Sequence, residues 1–185
     1  MRIFEATYGK IKPRRVAERK ENKAPESKPR RKMAAHKNLE EHLILDGYNL
    51  IFAWEELEGA GETDFSLARD MLTRIMCSYT AFRKCHATIV FDAYKRRGGE
   101  GSEELCGNVK IVYTKEGQTA DSYIEKLSKE LVDNYTVRVV TSDLEEQNII
   151  LGNGALRVSP KEFRREVENT TSEINEVIDK FKYKR

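Results

Sequence analysis

Short apolar runs that stop at, or just before, an aspartate are the feature that most constrains this chain. His42–Asp46 (HLILD) is one, its Asp46-Gly47 end reading as a turn, and Ala87–Phe91 (ATIVF), followed by Asp92, is another. Val109–Tyr113 and Thr136–Thr141 are β-rich runs of similar length, the latter followed by Ser142 and Asp143. Such runs fit strands buried on both faces. Between them the apolar spacing becomes helical: Phe65, Ala68, Met71, Leu72, Ile75, Tyr79 and Phe82 within Asp64–Lys84, then Tyr123, Ile124, Leu127 and Leu131 within Ala120–Asn134. A helix over Ser142–Gly152 is opened by Ser142 with Glu145 and stopped by Gly152. Ala155–Val158 reads as a fifth strand. In the final helix Ser159 is the cap, Pro160 takes the first turn, Glu162 closes the capping box, and Phe163, Val167, Ile174, Val177 and Phe181 form the apolar stripe. Strands alternating with helices predict an α/β domain, with a mainly parallel sheet of about five strands between two helical layers.

The 185 residues suffice for one domain and a tail. Residues 1–40 carry a net charge of +8 and the remainder −6. Residues 1–41 read as a basic flexible arm or linker, because Lys10–Lys37 is nearly empty of large apolar side chains and holds three prolines. Arg2–Tyr8 reads as the end of a preceding domain. The globular domain is then 42–185. A basic arm on an acidic body suits a protein that meets a polyanion with one part and acts with the other. Cys77, Cys85 and Cys106 form no CxxC pair, which argues against a disulfide framework. No apolar run reaches membrane-spanning length and no secretory leader is visible. The expected compartment is the cytoplasm.

The carboxyl ends of parallel strands form one rim, and ligands bind there. Asp46 closes the first strand, Asp92 the second, Asp121 opens the helix after the third, and Asp143 follows the fourth. Any one of them is also ordinary turn or helix-cap chemistry. Together, four carboxylates on one rim repel one another unless a cation sits among them. Mg2+ or Mn2+ suits all-oxygen ligands, and such an ion activates water and stabilises charge on a phosphodiester.

Asp46-Gly47-Tyr48-Asn49 after an apolar strand, Thr119-Ala120-Asp121 opening a helix, and Thr141-Ser142-Asp143 after a strand resemble the NYN domain in its YacP-like branch. Phe91-Asp92-Ala93 and the stretch Gly152, Gly154, Ala155, Leu156 fit the same pattern, so the resemblance spans Leu43 to the last helix. It implies a PIN-like three-layer sandwich and a divalent-metal endoribonuclease. Asp46, Asp121 and Asp143 would be metal ligands and Asp92 a fourth member, with Asn49 orienting the first carboxylate or a water and Ser142 assisting the third. It also implies RNA, single-stranded or messenger, as substrate, the ribosome as a partner, and fusion to a translation-type GTPase as a context for the basic arm.

Tyr94–Asn108 reads as a polar loop in which Lys95, Arg96 and Arg97 would neutralise RNA phosphates and Tyr94 would stack on a base. Its alternative is a solvated loop. Its glycines are no P-loop, since no Gly-Lys-Ser/Thr ending follows. Trp54 is expected to cover the sheet edge rather than line a substrate groove. Two other function classes compete: a catalytically inactive RNA- or ribosome-binding module held by the basic arm, and a phosphohydrolase. The latter needs a second aspartate two residues after Asp46, where Tyr48 stands.

Overall fold

The computed structural model describes residues 39–92, 101–142, 152 and 154–182. The elements run β1 (Glu41–Asp46), α1 (Gly47–Ala53), α2 (Glu55–Thr63), α3 (Phe65–Arg83), β2 (His86–Phe91), β3 (Ser102–Cys106), β4 (Val109–Tyr113), α4 (Ala120–Leu131), β5 (Thr136–Val140), β6 (Leu156–Val158) and α5 (Pro160–Lys182). The six strands lie in the order β3-β4-β2-β1-β5-β6. All neighbours are parallel except β3, which runs antiparallel to β4 at one edge. No helix among the described residues is long and apolar enough to cross a membrane.

Strand alternation splits the core in two. Leu43, Leu45, Ala87, Ile89 and Phe91 face one side, where Leu50, Leu57, Leu72, Met76, Tyr79 and Phe163 come down from α1, α2, α3 and α5. Ile44, Val90, Val137 and Val139 face the other, against Ala120 and Ile124 of α4. The sheet is thus covered on both faces, which is why β1 and β2 are continuously apolar rather than alternating.

Helix ends follow local chemistry. Asp64 caps α3 by accepting the Ser66 N–H at 2.8 Å, and Lys84 ends that helix in the left-handed region at φ 53°. The predicted capping box of α5 forms reciprocally: Glu162 Oε2 accepts the Ser159 N–H at 2.9 Å, and Ser159 Oγ accepts the Glu162 N–H at 3.2 Å.

Three sequence expectations change. Asp46-Gly47 is not a turn: Asp46 caps α1, which starts at once. Only glycine fits there, because a Cβ on residue 47 would lie 2.2 Å from Phe91 Cε1. The polar stretch up to Asn108 is not all loop, since Ser102–Cys106 forms β3. Every residue of β3 is exposed, so it carries no core-facing alternation, though Gly107-Asn108 is the two-residue hairpin signal that marks it. Trp54 neither lines a groove nor merely covers an edge. It is buried, with Nε1 donating to the Pro160 carbonyl at 3.0 Å and its ring beside Phe163. The helix expected over Ser142–Gly152 falls mostly on 143–151, outside the described residues.

Candidate active site

The chain leaves β1 to one side, through three helices, to reach β2 and then β4. It returns through α4, on the opposite face, to β5 on β1's other flank. The carboxyl end of β1 is therefore where the strand order reverses, the place where open α/β sheets form a crevice. Register sets what meets there. Asp46 lies level with Val90 of β2, and Leu45 with Val140 of β5, so Asp92 and Ser142 flank the end of β1 on either side.

Asp46 is 7 % exposed, and both its oxygens are held by one residue. Oδ1 accepts the Asn49 backbone N–H at 3.0 Å and Oδ2 accepts Asn49 Nδ2 at 2.7 Å. Asn49 Oδ1 in turn accepts the Ser142 hydroxyl at 2.8 Å. This relay crosses from β5's end through α1 to β1's end, and it fixes which edge of the Asn49 amide faces the carboxylate. Burial pushes the Asp46 carboxyl above its usual range. The Asn49 bonds oppose that shift, and repulsion from Asp121 adds to it. Asp121 reaches this neighbourhood from the exposed first turn of α4, whose cap Thr119 accepts the Ser122 N–H at 3.2 Å. An acidic group in that turn also complements the helix dipole.

The structure thus brings together Asp46, Asn49 and Ser142 by direct bonds, and Asp121 through its field. Asp92 is half-buried at the end of β2 on the same rim. Asp143, Tyr94, Lys95, Arg96 and Arg97 lie outside the described residues. No cluster of three His, Cys, Asp or Glu side chains able to hold a metal ion occurs among the described residues. Of the four carboxylates expected at the metal, Asp46, Asp121 and Asp92 lie among the described residues, Asp46 and Asp121 as an interacting pair, and Asp143 does not. The chemistry of the pair suits a hard cation: one carboxylate is buried, destabilised as an anion, and repelled by a second.

A cavity of about 260 Å³ opens on the same rim, beside the first turn of α4, with Tyr113, Lys115, Gln118 and Tyr123 among its lining residues. Sequence reading missed it because it depends on β3, whose first residues, Ser102 and Glu103, form one wall with the preceding Gly101.

Comparison with known proteins gives the same answer from an independent direction. The family model of the YacP-like NYN domain matches residues 43–185. The YacP protein of Bacillus subtilis (strain 168), described as uncharacterized, is 40% identical over 139 residues, covering 75% of this chain and 81% of that protein. Two crystal structures of Rae1 (YacP) from Bacillus subtilis superpose on 77% of this chain. One of them, of a point mutant, gives a TM-score of 0.68 at 36% identity over 84% of its chain, and the other gives 0.67 at 38% identity over 82% of its chain. The sheet order, the Asp46–Asn49–Ser142 relay and these matches lead to one conclusion: the chain belongs to the YacP-like NYN domain family.

Proposed function

We propose that this domain is a divalent-metal-dependent endoribonuclease that hydrolyses RNA phosphodiester bonds. The observation that carries the reading is Asp46: a buried carboxylate, raised in pKa and pressed by Asp121, at the one rim position where the topology opens a crevice. Family membership supports a nuclease role, and the all-oxygen character of the donors favours Mg2+ or Mn2+ over softer metals. Asp46 and Asp121, with Asp143, would hold the ion. When bound, such an ion neutralises charge on the phosphodiester and makes water a better nucleophile at neutral pH. The chain's own residues then have separate tasks. Asn49 holds Asp46 in one rotamer with both oxygens oriented, and Ser142 holds Asn49. Asp92 borders the crevice as a further acidic member.

Within this reading the substrate is unpaired RNA, messenger RNA at the ribosome in particular, and the cytoplasm is its place of action. Tyr94, Lys95, Arg96 and Arg97 are assigned to gripping the RNA, and a translation-type GTPase is the neighbour assigned to residues 1–41. The test is cleavage of an end-labelled single-stranded RNA by the full chain in Mn2+. Asp46→Asn and Asp121→Asn are expected to abolish cutting, as is EDTA, while Asn49→Ala lowers it about 10–100-fold. Undiminished cutting by Asp46→Asn, or in EDTA, refutes the proposal.

A further inference from the structure

The amino-terminal rim of the sheet, opposite Asp46, carries a feature that the nuclease reading does not use. Cys77 lies in α3 and Cys106 ends β3, separated by 29 positions in the chain. Their sulfurs nevertheless stand 2.9 Å apart, and the Cys77 thiol also reaches the Cys106 carbonyl at 3.4 Å. Both are free thiols. Cys106 is exposed, Cys77 is half-buried, and Cys85 is buried away from solvent. A disulfide bond is about 2.05 Å long, so less than about 1 Å of approach separates this pair from bonding distance.

We infer that Cys77 and Cys106 form a modification site: a reversible disulfide, made by exchange with a small-molecule disulfide such as oxidised glutathione, that staples edge strand β3 to helix α3. The exposed Cys106 thiolate attacks one sulfur of the small disulfide, forming a mixed disulfide and expelling one small thiol. Cys77 then loses its proton and attacks the Cys106 sulfur, closing the protein disulfide and expelling the second small thiol. Two protein thiols are oxidised and one small disulfide is reduced to two thiols. The order follows from access: Cys106 is exposed and Cys77 half-buried, and burial together with the neighbouring Cys106 pushes the Cys77 thiol up to about 11, which makes it the poorer first attacker.

The consequence is mechanical. Within the sheet β3 pairs with β4 alone, all five of its residues are exposed, and its far end forms a wall of the rim cavity. A cross-link to α3 removes the edge strand's freedom to peel and shortens the unfolded chain's accessible loops.

The experiment treats the full chain with oxidised glutathione, then denatures it, alkylates, and measures intact and peptide masses. One alkylated cysteine, Cys85, with a linked peptide pair carrying Cys77 and Cys106, is expected. The oxidised protein should melt about 10 °C higher, and dithiothreitol should reverse this. Cys85→Ser should cross-link normally, whereas Cys77→Ser should stop at a mixed disulfide on Cys106. Three alkylated cysteines, a bridge involving Cys85, or a wild-type glutathione adduct that never resolves would each overturn the inference.

Discussion

A carboxylate as deeply placed as Asp46 carries its charge at a cost that its surroundings only partly offset. Two hydrogen bonds from Asn49 favour the anion, while burial, the larger influence, and Asp121 disfavour it. Because the folded pKa is raised, the fold loses stability as pH climbs from the ordinary carboxylate range through the folded value. Asp46→Asn removes this charge. The Asn49 amide can turn its oxygen toward the new Nδ2, since the Ser142 hydroxyl both donates and accepts. Thermal unfolding at pH 7 in EDTA should therefore show Asp46→Asn melting no lower than wild type. A fall of several degrees would mean that the carboxylate is structural. Next to it, Gly47→Ala should destabilise by about 1–3 kcal/mol in urea unfolding, because the fully buried Phe91 ring has no room to retreat from a Cβ.

Elements are locked together on the other side of the domain by Arg138 of β5. Its Nη1 donates to Glu41 of β1 at 2.7 Å and its Nη2 to Glu166 of α5 at 2.7 Å, while the Tyr79 hydroxyl of α3 donates to Glu166 at 2.5 Å. One guanidinium thus holds two strands, and through Glu166 two helices. The Arg138 side chain is only 18% exposed, so deleting it strands two carboxylates in a poorly solvated site. Arg138→Ala should cost about 2–3 kcal/mol in chemical denaturation, somewhat below fully buried pairs because water still reaches the edges. The Tyr79→Phe variant, which removes only one donor to Glu166, should cost clearly less. Equal losses would show that the ion pairs contribute little.

At the scale of the whole molecule, acid stability reports a half-buried group, His42. Burial, then His86 and Lys110, lower the His42 pKa from 6.5 to about 4, and its Nε2 is bonded to Thr88 at 2.9 Å. A depressed base stabilises the fold above its unfolded pKa and loses that contribution as pH falls. The window is 6.5 down to about 4, amounting to at most roughly 3–4 kcal/mol, less for partial solvent access. Urea midpoints measured across that range should slope downward toward acid, and His42→Gln should flatten the slope. An unchanged slope in the variant would assign the acid loss to other groups.

Much of this molecule was determined by sequence alone, for reasons of range. The strands other than β3, the helices α3, α4 and α5, the cap at Ser159, and the arrival of Asp46 and Asp92 at one rim follow from local periodicity and from the rule that parallel strands end on the same side. The polar edge strand β3, the helix that begins directly at Gly47, and the bond from Trp54 to Pro160 carry weak local signals, because neighbours distant in sequence decide them. Tertiary structure alone decided that Ser142 reaches Asn49 across 93 positions, that Asp121 raises Asp46, and that two cysteines with no motif between them meet. Strand order and register set those encounters, and they depend on the packing of all the elements at once.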